Sequence, residues 1–382
     1  MICLDIKKWS IRVRIVTLWI LFVVHSSLVA SNMAVRDIDY IHPRPGTDFH
    51  NPQTTIILKA KESVLNKLTI TATGRNGNIY SGSKSIQNRT LIFRTHKSFV
   101  GGDTVDVSVG GLAESYTFYF IVREPIDTER FDASDHIAES ENHDHSHKVK
   151  VNGVRTINGV AVPDDFPDIR TSIHGETAPG RIFFASTFFD SNSRSNYIVI
   201  CENDGTPYFY RKYDRANLGS GEFKVQPNDM LSFYRYLNSD DGFYVLLDHN
   251  FVEVDTFRAG HGYRTDSHEM LLLDNGHALL VCEQDVRMDM STIVSGGQKN
   301  ALVIGNHIQE VDSEGNVYWE WRCWDYLDVA DAIEVNLKGG SIDYAQTHKA
   351  PCRRVNIASK SSPVKAPIAI LIFSSSRKVF PL

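Results

Sequence analysis

The sequence has few cysteines, and no two of them are close together. Five occur in 382 residues, at Cys3, Cys201, Cys282, Cys323 and Cys352. Structural zinc sites usually draw on two cysteines a few residues apart. Because no such pair is present, we predict no metal site. The four cysteines that follow the N-terminal region allow one disulfide bond, with its pairing left open.

A stretch of positive charge is also lacking. The 46 acidic residues outnumber the 40 basic ones, which gives a formal net charge of −6. Proteins that bind nucleic acid present a basic patch or stripe to the phosphates, so we predict no nucleic-acid partner. The hydrophobic content of 42% is ordinary for a globular protein, and the length predicts about two domains.

One hydrophobic run stands out, close to the N-terminus. Basic residues between Lys7 and Arg14 precede an apolar segment at 15–24, and small residues follow as far as Ser31. This order is typical of a secretory signal peptide, which we assign to residues 1–31. The run is about half as long as a membrane-spanning helix requires, so we expect cleavage rather than a single membrane anchor. We therefore expect an exported chain, periplasmic or extracellular, with no stable membrane span after cleavage.

Helical periodicity is absent too, and short alternating apolar segments take its place. Between residues 38 and 125 these segments are separated by turns rich in Gly and Asn. Short strands at this spacing predict an immunoglobulin-like β-sandwich over 38–125. Residues 126–160 carry many charges and few apolar side chains, which indicates a linker.

Three alternate histidines lie inside this predicted linker, at His143, His145 and His147. A divalent metal site is one interpretation. Solvated side chains are the interpretation we prefer, because metal ligands need surrounding groups to orient them and this stretch offers little packing.

From residue 161 to 344 the chain reads as a series of β-hairpins. Apolar runs meet tight polar turns at Asp248-His249-Asn250, at Asp274-Asn275-Gly276 and between Asp312 and Asn316. Two hairpins make a four-stranded unit of about 45 residues, which is the size of one β-propeller blade. The sequence therefore predicts an all-β chain, a sandwich followed by an incomplete β-propeller of about three to four blades.

A polar cluster interrupts this apolar pattern at Arg264-Thr265-Asp266-Ser267-His268-Glu269. We expect the functional site there. His277 follows a hairpin tip and is predicted to be structural and exposed. Trp319, Trp321 and Trp324 are predicted to pack between blades.

A set of short motifs recurs along the second half of the chain: Asp255-Thr256-Phe257-Arg258, Thr265 to Glu269, Asp274 to His277, Asp289-Met290-Ser291, Gly296-Gly297 and Trp319 to Asp325. With these motifs, the chain resembles the bacterial arylsulfate sulfotransferases (arylsulfotransferases), roughly from Val160 to Tyr344. The resemblance implies an exported β-sandwich and six-bladed propeller. It implies transfer of a sulfuryl group from a phenolic sulfate ester to a phenol acceptor, through a histidine intermediate and without a cofactor.

The resemblance also implies roles for particular residues. His268 stands at the position of the first histidine in the central funnel, and His348 is the second catalytic candidate. Asp266 and Glu269 are expected to orient His268 or bind substrate, together with Arg264 and Tyr344. A surface-loop histidine is the alternative interpretation of His268.

The expected pattern breaks after Tyr344. The family continues Asp-Tyr-x-His-x-Asn, whereas this chain has Gln346 at the histidine position and His348 at the asparagine position. We expect residues 345–382 to be an aberrant tail, produced by truncation or a frame shift. The nucleophilic histidine and the sulfate-binding arginine of the family lie on later blades, so we expect weak activity or none.

Two other functions remain open on the sequence. An exported, non-catalytic propeller and sandwich could serve binding or adhesion. A propeller dehydrogenase of the pyrroloquinoline type fits less well, because its repeated tryptophan motif and a CxxCH haem site are both missing.

Overall fold

The computed structural model describes residues 38–112, 114–126, 153–186, 196–213, 220–238, 241–332 and 335–343. These residues fall into two compact units, one ending at Arg123 and one beginning at Glu124. The predicted all-β fold is confirmed, since strands dominate both units. The predicted signal peptide, most of the predicted linker and the predicted aberrant tail lie outside the described residues.

The first unit consists of two antiparallel sheets with their apolar faces together. Its elements are β1 Ile38–His42, β2 Ile56–Ala60, α1 Glu62–Leu65, β3 Thr69–Gly74, β4 Ile79–Tyr80, β5 Gly82–Gln87, β6 Thr90–Thr95, β7 Thr104–Gly110 and β8 Tyr116–Ile121. One sheet has the order β1-β2-β6-β5 and the other β4-β3-β7-β8. Leu58 and Leu91 from one sheet share a buried core with Val107 and Phe120 from the other. This arrangement agrees with the predicted sandwich, whose immunoglobulin-like character stays a prediction.

The second unit begins with a hairpin and continues as three sheets in chain order. Its elements are β9 Val154–Ile157, β10 Val160–Pro163, β11 Ile182–Ser186, β12 Asn196–Cys201, β13 Pro207–Tyr213, β14 Ser220–Val225, β15 Leu231–Asn238, β16 Asp241–Leu247, β17 Glu253–Phe257, β18 Arg264–Leu272, β19 Ala278–Met288, β20 Ala301–Val311, β21 Val317–Arg322 and β22 Ser341–Asp343. The sheets have the orders β11-β12-β13, β14-β15-β16-β17 and β18-β19-β20-β21, and β22 pairs in parallel with β20. Strands that are consecutive in sequence are neighbours in each sheet, as in propeller blades.

The hairpin β9–β10 lies partly inside the segment that we expected to be a linker. Ile157 and Val160 pack against a buried cluster that includes Phe166 and Tyr197. This apolar contact gives the hairpin a core to fold on, so ordered structure begins before residue 160. Residues 127–152, with the three alternate histidines, lie outside the described part.

The three predicted hairpin tips are confirmed, and their side chains act as the sequence indicates. Asp248 Oδ1 accepts hydrogen bonds from the backbone N–H groups of Asn250 at 2.9 Å and Val252 at 2.8 Å. Gly276 and Gly315 close the other two turns with φ values of 81° and 80°, in the region that favours glycine. These turns set the register of the second and third sheets.

Apolar side chains join successive sheets of the second unit. Ile198 of β12, Phe223 of β14 and Val245 of β16 belong to one buried cluster. Trp321 is buried, and Trp319 and Trp324 pack against the same cluster, whose members all come from residues 288–342; packing of these tryptophans between blades stays a prediction. Cys201, Cys282 and Cys323 are buried free thiols, so a disulfide among these three is not formed, and Cys352 lies outside the described residues.

In the described part of the chain, no helix is both long and apolar enough to cross a membrane.

Gly305 of β20 provides a test of this packing. A Cβ atom there would lie 2.3 Å from Trp324 Cζ2, so Gly305→Ala must displace an indole that donates a hydrogen bond of 2.9 Å to Gln284 Oε1. We expect Gly305→Ala to lower the free energy of unfolding by about 1–3 kcal/mol, measured by urea titration of tryptophan fluorescence.

Gly340→Ala is the matched control, because the added methyl group would meet only the flexible Gln298 side chain, with its Oε1 at 3.2 Å. An equal loss of stability in the two variants would contradict the packing of Trp324 against Gly305.

Candidate functional site

The predicted polar cluster lies in an irregular stretch of β18. Thr265 pairs with Cys282 of β19, and the next partners are Met270 and Leu280. Four residues of β18 therefore lie opposite one residue of β19, which makes an enlarged β-bulge. A bulge breaks the alternation of a strand and redirects its side chains, and bulges are frequent beside active sites.

Asp266 holds the imidazole ring of His268. Its carboxylate oxygens lie 3.0 and 3.1 Å from His268 Nδ1, and Oδ1 also accepts the His268 backbone N–H at 2.8 Å. The Asp266 side chain is 4% exposed, whereas that of His268 is 55% exposed. The pair therefore consists of a buried carboxylate that orients a ring reachable from solvent.

The same contact shifts the pKa of His268. The hydrogen bond to Asp266 raises it, burial opposes the shift, and the negative charges of Asp266, Glu283 and Glu222 add to the increase. These groups stabilise the protonated ring. His268 therefore keeps its proton to a higher pH than an isolated histidine does.

Arg264 is engaged by carboxylates within the third sheet. Its NH1 atom lies 2.7 Å from Asp285 Oδ2 and its NH2 atom 2.8 Å from Glu283 Oε2. Burial disfavours the charged guanidinium, but the two carboxylates outweigh it and raise the pKa. Arg264, which was predicted to bind substrate, is therefore already paired with two acidic side chains.

Glu269 contacts a lysine that the sequence analysis did not single out. Lys224 Nζ, on β14, forms an ion pair with Glu269 and a second one with Glu222 at 2.8 Å. One ammonium group therefore links the first strands of two successive sheets. One sequence signal points to this contact between sheets. Glu222 precedes the turn residue Asn228 by the same spacing as Glu269 precedes the turn residue Asn275.

The remaining predicted residues follow β22. Asp343, the last residue of that strand, accepts a hydrogen bond of 2.9 Å from Asn306 Nδ2, and its charge contributes to raising the pKa of Glu283, after burial and Asp266. At Asp343 the chain therefore comes close to the Arg264 cluster. Tyr344 and His348 themselves lie outside the described residues.

Other histidines of the second unit have structural environments. His261 Nδ1 lies 2.7 Å from Glu320 Oε2, and His307 Nε2 lies 3.1 Å from Gln284 Oε1; both rings are buried. The prediction that His277 is exposed is wrong. Its side chain is buried because Tyr318 covers the ring at 4.2 Å between centroids and Glu310 pairs with Nδ1 at 2.9 Å.

Comparison with known families confirms the resemblance. The model of the family named Arylsulfotransferase (ASST) matches residues 174–359. The match includes the bulge of β18 and both strands that contribute Lys224 and Asp343. It also runs past Tyr344, so the resemblance ends later than we expected. No curated protein matches the chain.

Solved structures give only distant similarity. The S-layer protein rSbsC is 12% identical over 70% of this chain and 45% of its own, with a TM-score of 0.18. Domains 1–6 of SbsC are 12% identical over 73% of this chain and 45% of theirs, with a TM-score of 0.19. A DUF4784 family protein from Bacteroides caccae is 9% identical over 78% and 97% of the two chains, with a TM-score of 0.16. The chain spans less than half the length of the first two, and TM-scores this low carry no argument about the fold.

Replacing Asp266 tests the pair directly. Asp266→Asn removes the charge that contributes most to stabilising the protonated ring, so we expect the pKa of His268 to fall. The measurement is an NMR titration of the histidine ring protons, and Asp274→Asn at an exposed hairpin tip is the matched control. A His268 pKa that is the same in Asp266→Asn and in the unmodified protein would show that the carboxylate does not hold the ring.

Proposed function

Because residues 174–359 match the arylsulfotransferase family, we propose that this chain is an aryl-sulfate sulfotransferase with impaired activity. It takes the sulfuryl group from a phenolic sulfate ester and passes it to a phenol. Because the family's own nucleophilic histidine belongs to later blades, we propose that His268 holds the group in this chain. We propose that it acts after export, in the periplasm or outside the cell, and that it needs no cofactor. The observation that carries the proposal is the pairing of buried Asp266 with half-exposed His268.

This pair suits histidine to nucleophilic attack on sulfur. When the Nδ1–H group of the neutral ring donates a hydrogen bond to Asp266, the free lone pair lies on Nε2. Nε2 is therefore the nitrogen that can attack. A covalent intermediate divides one difficult transfer into two easier ones. His261, His277 and His307 are buried, so they are poorly placed to reach a substrate.

The charges around His268 favour slow turnover. Sulfuryl transfer develops negative charge on oxygen atoms, and cations stabilise such charge when they are aimed at it. Here Arg264 faces Glu283 and Asp285, and Lys224 faces Glu222 and Glu269. The acidic partners also keep His268 protonated, and a protonated imidazole has no lone pair for attack.

Labelling of the intermediate tests the proposal. We expect incubation with p-nitrophenyl sulfate at mildly alkaline pH to add one SO₃ group to the peptide that contains His268, detected by mass spectrometry. His268→Ala should abolish the label, and His249→Ala, at an exposed hairpin tip, should leave it unchanged.

A label that persists in His268→Ala, or no label in the unmodified protein, would refute the role of His268. Release of p-nitrophenol in the presence of phenol tests the impairment separately. We expect turnover below about 1 s⁻¹, the lower end of the usual range for enzymes; faster turnover would contradict it.

A further inference from the structure

Glu222 occupies in the second sheet the position that Glu269 occupies in the third. Each glutamate lies in the first strand of its sheet and precedes a turn asparagine at the same spacing, Asn228 and Asn275. Each also lies where the strand loses register with its neighbour, in β14 between Gly221 and Lys224 and in β18 between Thr265 and Met270. The two bulges turn both glutamates toward the same ammonium group.

The backbone at Glu222 is unusual. Its φ angle is 45°, a left-handed value that is uncommon for residues other than glycine. Such strain persists where the surrounding structure imposes it, and it is concentrated at functional sites. The conformation fixes the Glu222 side chain, which is 21% exposed, beside Lys224, which is 26% exposed. The Glu222 side chain is therefore largely buried but still in contact with solvent.

Only one of the two carboxylate oxygens of Glu222 is well satisfied. Oε1 contacts Lys224 at 2.8 Å, whereas Oε2 is buried without a hydrogen bond of normal geometry. The Tyr244 hydroxyl is also buried and lacks such a bond, although its pKa rises through burial and then through the nearby Glu222 charge. Burial of the carboxylate favours the protonated carboxyl group, whereas the neighbouring Tyr244 hydroxyl opposes this by stabilising the charged form.

The pKa of Glu222 agrees with this geometry. Burial raises it to about 7, and Lys224, the Tyr244 hydroxyl and His268 oppose the increase. The charged and titratable groups around Glu222 come from several strands: Lys224 on its own strand, Tyr236 on β15, Tyr244 on β16, and His268 and Glu269 on β18. Such a group can gain and release a proton near neutral pH.

We propose that Glu222 carries the proton of the phenol oxygen while the sulfuryl group moves at His268, a role that rests on the proposed function. In the first half-reaction, His268 Nε2 donates its electron pair to sulfur and the bond between sulfur and the aryl oxygen breaks. The bonding electrons stay on that oxygen, which takes the proton of Glu222 and leaves as a phenol. Glu222 becomes a carboxylate.

The second half-reaction restores both groups. The Glu222 carboxylate takes the proton of the acceptor phenol, whose oxygen attacks sulfur. The bond between sulfur and Nε2 breaks, and its electrons return to His268. Atoms, electrons and protons therefore balance without another reactant.

Two sulfuryl donors distinguish this role from a structural one. The p-nitrophenolate released from p-nitrophenyl sulfate is a good leaving group and needs little protonation. The phenolate released from phenyl sulfate is a poor leaving group and needs a proton. For Glu222→Gln we expect kcat/KM to fall about 10²-fold or more with phenyl sulfate and less than about threefold with p-nitrophenyl sulfate. Glu176→Gln, at an exposed glutamate, should change neither value.

The unmodified protein supplies a second measurement that does not depend on the folding of a variant. With phenyl sulfate, kcat/KM should decline above about pH 7, where Glu222 loses its proton. With p-nitrophenyl sulfate it should rise with the deprotonation of His268 and show no such decline.

The outcomes separate the two proposals. Equal losses with the two donors in Glu222→Gln, or the same alkaline limb with both donors in the unmodified protein, would overturn the role of Glu222 and leave the sulfotransferase proposal standing. No turnover of either donor by the unmodified protein would overturn the proposed function and this role with it.

Discussion

The contact between Asp266 and His268 is the interaction on which the candidate site depends. In a regular strand, residues two apart lie on the same face and share its exposure, whereas here the Asp266 side chain is buried and the His268 side chain is exposed. The bulge of β18 permits this difference. The cost of burying Asp266 is offset by the backbone N–H and the ring that it contacts.

The same geometry recurs in the preceding sheet and gives the site its charge. Glu222 and Glu269 reach Lys224 from two sheets, while Glu283 and Asp285 reach Arg264 from β19. Both cations are therefore surrounded by carboxylates. Carboxylates also raise the pKa of His268, whereas burial raises the pKa of Glu222. The site therefore holds two groups that can exchange protons, His268 and Glu222, whereas its cations Lys224 and Arg264 are already paired with carboxylates.

Much of this could be predicted from local sequence. Turn residues such as Gly276 and Gly315 predict their hairpins because few other residues adopt the required φ. The cluster at Arg264 to Glu269 is identified because it is polar within an apolar pattern. Lys224 does not stand out locally, because its partners come from different sheets; its one sequence signal is the equal spacing of Glu222 and Glu269 to their turn asparagines. His277 was misjudged because its burial depends on Tyr318, a residue of another strand. The start of ordered structure at β9 likewise depends on packing against Phe166.

Histidine modification by diethyl pyrocarbonate, followed residue by residue with mass spectrometry, tests the central claim most directly. The account predicts that His268 reacts faster than buried His261, His277 and His307 and that phenyl sulfate slows its reaction, because substrate and reagent compete for the same ring. Reaction of His268 at the rate of the buried histidines, or at a rate that phenyl sulfate does not change, would contradict the account.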